Sequence, residues 1–69
     1  MEIKWRDGFT IRAETDGKTV VLSANREGLL SLADLLTNLA EQEPGNHVHL
    51  DGTNSLEDGS AELILEKTD

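Results

Sequence analysis

Residues 9–24 read FTIRAETDGKTVVLSA, and the fold turns on how this stretch pairs with itself. Asp16-Gly17 is a strong two-residue hairpin signal, because a type I′ turn needs positive φ at both central positions and Asp-Gly supplies them. A turn on those two residues sets Thr15 beside Lys18. Counting outward, Ala13 faces Val20, Ile11 faces Leu22 and Phe9 faces Ala24. All six are apolar and share one face. Thr10, Arg12, Glu14, Thr19 and Ser23 share the other, with Val21 as its apolar exception. Turn chemistry and hydrophobic pattern therefore predict the same half-buried antiparallel hairpin.

Upstream, EIKWR (2–6) alternates in the same way, with Ile3 and Trp5 on one side. A two-residue Asp7-Gly8 turn would set Trp5 against Thr10, on the wrong face. A three-residue loop, Arg6-Asp7-Gly8, sets Trp5 opposite Phe9 and Ile3 opposite Ile11, with Gly8 in the left-handed conformation. The pattern thus predicts a strand over 2–6. Downstream, NREGLLSLADLLTNLAEQ (25–42) predicts a helix, with Asn25 as N-cap and Glu27 in the positive first turn. At 100° per residue Leu29, Leu32, Ala33, Leu35, Leu36, Leu39 and Ala40 span roughly 160°, and Leu36 is expected among the core residues. Leu30 lies outside that arc and suits either a sheet-edge cover or a partner contact. Pro44-Gly45 ends the helix.

HVHL (47–50) and AELILEK (61–67) predict two more strands, joined by the ten-residue loop DGTNSLEDGS. That loop is longer than an ordinary hairpin connection, and such loops tend to carry function. Leu56 is positioned to pin it down. The order β-β-β-α-β-β, with one helix stripe to cover one apolar sheet face, predicts an α+β two-layer sandwich. One helix packs on a mostly antiparallel sheet of about five strands, ordered 3-2-1-5-4 or 1-2-3-5-4, in a single domain over 1–69.

The chain has 69 residues, no cysteine and a net charge of −8. Its length allows one domain of marginal stability. Absent cysteine fits a reducing compartment, and neither a signal core nor an apolar run of about 18 residues is present, so a cytoplasmic protein without a membrane span is expected. The charge is uneven: residues 1–24 balance, 25–46 carry −3, and 47–69 carry −5 from Asp51, Glu57, Asp58, Glu62, Glu66 and Asp69 against Lys67. Such a field disfavours nucleic acid, whose phosphates need Lys and Arg, and favours a basic partner. It also keeps a small domain soluble.

His47-x-His49-x-Asp51 places three potential metal ligands on one strand face, with Glu62 or Glu66 available to complete a set. No other histidine or cysteine exists. The expected reading is two histidines on a solvent-facing strand beside glutamates, with no metal or cofactor. Glu57-Asp58 and Glu62/Glu66 lack the burial that would separate their pKa values for acid/base work. Ser55 and Ser60 lack a base at diagnostic spacing, and neither a phosphate loop nor a calcium loop is spelled out. The chain is expected not to be an enzyme.

Ala24-Asn25-x-x-Gly28-Leu29 opening the helix, the Leu-Ala helix body, and the run HxHLD-x-x-N-x-L-x-x-G-S-x-E-L-I together resemble the immunity protein 32 family of bacterial polymorphic toxin systems. The likeness covers residues 23–67, and Gly52 departs from it where a larger residue is expected. The resemblance implies a cytoplasmic binder that neutralises a cognate bacterial toxin. Many such toxins are nucleases with basic sites, which an acidic surface can occupy as a phosphate backbone would. Asp51, Asn54, Glu57, Asp58, Glu62 and Glu66 are the expected contact residues. A scaffold or interaction domain, such as a homodimer joined through a sheet edge, is the alternative, with a histidine-based metal protein third.

Overall fold

The computed structural model describes residues 2–69. Its elements are β1 (Ile11–Asp16), β2 (Thr19–Ala24), α1 (Arg26–Ala40), β3 (His47–Leu50) and β4 (Leu63–Glu66). The α+β character holds, but the single sheet of about five strands does not. β1 pairs with β2, β3 pairs with β4, both antiparallel, and these form two separate two-stranded sheets.

The reason lies between the sheets. Segment 57–61 runs beside the free edge of β1, where the Glu57 amide donates to the Ile11 carbonyl and the Ala61 amide to the Ala13 carbonyl, each at 2.8 Å. Two residues of β1 are thus spanned by four of the neighbour, which no regular ladder permits. The excess is taken up by a turn at Asp58-Gly59, closed by Ser60 N–H donating to the Glu57 carbonyl, with Gly59 at φ 84°. The Ala13 amide, left without a backbone acceptor, donates to Ser60 Oγ at 3.3 Å. The predicted strand 61–67 accordingly shrinks to Leu63–Glu66.

This arrangement also displaces the predicted first strand, since the edge of β1 is already occupied. Residues 2–6 form no strand. The Arg6 amide instead donates to Ser31 Oγ of α1 at 2.9 Å, and the Arg6 guanidinium meets Asp34 at 3.1 Å. The three-residue loop gives way as well: Phe9 N–H donates to the Arg6 carbonyl and closes a turn on Asp7-Gly8 with Gly8 at φ 78°, while Trp5 still lies against Phe9, stacked with ring centroids 4.8 Å apart.

Within the first hairpin the turn falls on Gly17-Lys18 rather than Asp16-Gly17. Asp16 pairs with Thr19, Ala13 with Leu22 and Ile11 with Ala24. Gly17 has φ 60°, and among the described residues no non-glycine has positive φ. Glycine first is the arrangement of a II′ turn, which spares Asp16 the left-handed conformation that I′ would demand. The register moves by two residues, so every side chain keeps its predicted face.

The core consists of Ile11, Ala13, Leu32, Leu35, Val48, Leu50 and Leu56, with Ile3, Trp5, Phe9, Ala24, Leu63 and Leu65 packed around it. Val20 and Leu22, predicted to join it, are 66% and 43% exposed. Only the base of the hairpin lies under the helix, and residues 14–23 are all exposed. The helix itself is rolled away from its predicted orientation. Its buried stripe is Gly28, Ser31, Leu32, Leu35 and Leu39, rotated by roughly 70° at 100° per residue. Leu29 and Leu36 are left 54% and 49% exposed. The buried hydroxyl of Ser31 is satisfied twice, donating to the Glu27 carbonyl and accepting from the Arg6 amide, so burying it costs little.

Both helix ends are tied to distant parts of the chain. Asn25 Oδ1 accepts from the Gly28 and Thr10 amides at 2.8 and 3.0 Å, while its Nδ2 donates to the Gly8 carbonyl at 2.8 Å. The last turn has no basic residue of its own. Lys67 Nζ supplies the cation from beyond β4, donating to the carbonyls of Ala40 and Gln42 at 2.7 Å each.

Candidate partner-binding surface

Alternation along β3 buries Val48 and Leu50 and turns His47 and His49 outward. The register with β4 sets Glu66 opposite His47 and Ile64 opposite His49. Glu62 reaches His49 Nδ1 at 3.2 Å, both side chains half exposed. The two histidine rings meet edge-on at 5.0 Å, and His47 Nδ1 lies 3.1 Å from the Gly45 carbonyl. The outward face of this sheet is therefore a row of imidazoles and carboxylates around Ile64, which is 50% exposed.

The loop after β3 is built by two of the predicted contact residues. The Asp51 carbonyl accepts from the amides of Asn54, Ser55 and Leu56. Its carboxylate accepts from the Thr53 amide at 2.8 Å and the Thr53 hydroxyl at 2.6 Å. Those bonds, the hydroxyl's first, hold the Asp51 carboxyl below its ordinary pKa. Asn54 Oδ1 accepts from the Asp51 amide and the Ser55 hydroxyl, and its Nδ2 donates to the His49 carbonyl. Leu56, only 5% exposed, anchors the loop in the core as its position suggested.

Glu57 and Asp58 follow this anchor and are exposed, as are Glu62 and Glu66. The predicted residues thus divide in two. Asp51 and Asn54 spend most of their hydrogen-bonding capacity inside the loop, whereas the four remaining carboxylates face outward. Arg12, which the sequence placed only on the outer face of the hairpin, joins this region. Its Nη1 donates to the Asp58 carbonyl at 3.1 Å and lies 3.7 Å from Glu14. Nothing in its immediate sequence announces a contact across 46 positions.

The metal alternative finds Asp51 turned toward Thr53. Among the described residues no three His, Asp or Glu side chains gather as ligands of one ion would. The exposed carboxylates also lack the enclosure that general acid/base chemistry needs. What this surface offers chemically is hydrogen-bond acceptance and negative charge, presented on a strand face and a pinned loop.

A family model described as immunity protein 32 matches residues 19–68, well over half of the chain, and the chain belongs to that family. No curated protein and no solved structure matches it. The matched region takes in β2, α1 and all of the surface just described except Arg12 and Glu14. The N-terminal segment and β1 lie before it.

Proposed function

We propose that this member of the immunity protein 32 family binds a cognate bacterial toxin in the cytoplasm and neutralises it by occupying its functional surface. The single observation that carries the reading is the family match over residues 19–68. The contact centres on Glu57, Asp58, Glu62 and Glu66, with His47, His49 and Ile64 completing the patch. Asp51 and Asn54 contribute by fixing the loop that presents Glu57 and Asp58. The partner is basic there, because residues 47–69 carry −5 of the chain's −8, and complementary charge raises association rates and rejects like-charged competitors. Exposed Ile64 supplies an apolar point within a charged rim, the usual anatomy of a protein–protein contact.

Blocking by occupation requires no chemistry from the inhibitor. It does require a preformed surface, since loop ordering at the moment of binding reduces affinity. Leu56 in the core and the Asp51–Thr53–Asn54 hydrogen bonds provide that preorganisation. The test is co-expression with the toxin gene adjacent to this one, scored by host survival. The chain should rescue growth, and a chain carrying both Glu57→Lys and Asp58→Lys should rescue it poorly at equal abundance. Failure of the wild-type chain to protect would refute the immunity reading for that pair. Equal protection by the double variant would move the contact elsewhere.

A further inference from the structure

The edge of β2 is open, and its sequence lacks the usual defences of an edge strand. TVVLSA contains no charged residue and no proline among its six positions. Val20, Val21 and Leu22 are 66%, 43% and 43% exposed, on both faces of the strand. Natural edges are normally blunted by Lys, Pro, bulges or brevity.

The register says which backbone groups are free. Asp16 and Thr19 close the two-residue turn, so they form a hydrogen-bonded pair, and pairs alternate from there. Val20, Leu22 and Ala24 therefore sit in non-hydrogen-bonded pairs and aim their N–H and C=O groups away from β1. The opposite strand agrees: Ile11 and Ala13, the partners of Ala24 and Leu22, send their carbonyls to segment 57–61 rather than to β2.

We infer that β2 is a self-association edge, pairing antiparallel with β2 of a second copy across a twofold axis at Val21. In that register Val20 lies opposite Leu22 of the other copy, and Leu22 opposite its Val20. These are the residues whose outward N–H and C=O groups are free, so they form hydrogen-bonded pairs. Their side chains make a four-residue apolar cluster on the inner face. On the outer face Val21 meets its own copy, and Thr19 meets Ser23. Sliding by two residues toward the turn would set Lys18 against Leu22. Sliding the other way would drive the Asn25 helix cap against Thr19.

Charge selects a second copy over the basic partner proposed above. β2 has no acidic residue to attract a basic protein, and for the same reason two chains of net −8 can meet there without opposing carboxylates. One strand per copy is a small contact beside the ~1,200–2,000 Å² of standard interfaces, so the dimer is weak and concentration-dependent. This inference stands apart from toxin binding, which uses the other sheet.

The chain contains no cysteine, so single-cysteine variants report the register directly. Opposed residues in a non-hydrogen-bonded pair have Cα atoms ~4.5 Å apart, within disulfide reach, whereas diagonal positions lie ~7–8 Å apart. Oxidised Val21→Cys should become mostly covalent dimer, with Val20→Cys and the helix-flank variant Leu36→Cys remaining mostly monomer. In sedimentation equilibrium the wild-type chain should shift from monomer toward dimer with rising concentration. Val20→Pro should abolish that shift without loss of folded circular dichroism, because the amide it removes makes no bond to β1. A wild-type chain that stays monomeric at millimolar concentration would overturn the proposal. So would cross-linking of Leu36→Cys as fast as Val21→Cys, or a folded Val20→Pro that still dimerises.

Discussion

At Gly28 the first turn of α1 lies so close to the hairpin that a Cβ would collide with the Thr10 carbonyl and press on Ile11 and Ala24. The spacing Asn25-x-x-Gly28 is thereby explained in steric terms: the cap holds the turn against β1, and only glycine lets it approach. Gly28→Ala should lower stability by about 1–3 kcal/mol through overpacking, despite alanine's better helix propensity. Gly52 differs. It is not among the positive-φ glycines, and a Cβ there would meet nothing nearer than the Glu57 carbonyl at 3.6 Å. Gly52→Ala should raise stability by about 0.4–1 kcal/mol by restricting the unfolded chain, so the site accepts the larger residue that the family resemblance leads one to expect. Chemical denaturation of both variants checks the opposite signs. Asp51 adds a pH dependence. Its folded carboxyl titrates below its unfolded value, so the stability it contributes is fully present above the ordinary aspartate range and is lost as pH falls through the folded pKa. The melting-temperature gap between the wild-type chain and Asp51→Asn should therefore be widest near pH 6 and close toward pH 2. A gap that widens on acidification would contradict the loop's charge-assisted bonds.

Among the elements, α1 shows how far periodicity reaches and where it stops. Its existence, its Asn25 cap and its end before Pro44 were legible, because each depends on local chemistry. Its roll was not. Seven apolar residues offered a stripe wider than the core needed, and the face that is buried includes Ser31, which accepts from the Arg6 amide, a contact no helical pattern encodes. Leu35 is 2% exposed and Leu36 49%. Leu35→Ala should cost about 2–5 kcal/mol, a large part of the roughly 3–10 kcal/mol expected of a domain this size at 0.05–0.15 kcal/mol per residue. Leu36→Ala should change stability by about 0.5 kcal/mol or less. Urea midpoints for the two variants test this, and comparable losses would mean the helix sits in its pattern-predicted orientation. The single five-stranded sheet fails for a related reason. Alternation in EIKWR correctly marks Ile3 and Trp5 as core-facing, but it cannot say that segment 57–61 takes the edge of β1. Of the surface residues, outward carboxylates such as Glu62 and Glu66 follow from strand parity. The inward duties of Asp51 and Asn54 follow only from the loop's folded path.

In the whole molecule, two kinds of surface are kept on different sheets. The β1–β2 hairpin projects an uncharged, apolar edge, while β3–β4 and the loop between them carry the excess negative charge. The residues that carry the family resemblance do mostly architectural work: Asn25 and Gly28 seat the helix, and Asp51, Asn54, Leu56, Gly59 and Ser60 shape the loop. On the function proposed above, specificity for one toxin over another falls to the carboxylates they present, which can vary without loss of the fold, since exposed charges contribute little to stability. The most direct measurement is the association rate of the purified chain with its cognate toxin as a function of salt, for the wild-type chain and for the variant carrying Glu57→Lys and Asp58→Lys. Binding should be fast at low salt and slow as the Debye length shortens from ~30 Å at 0.01 M to ~8 Å at 0.15 M. The double variant should associate more slowly, show a flatter salt dependence and melt at nearly the wild-type temperature. Identical rates and salt slopes for the two chains would contradict the acidic surface as the site of neutralisation.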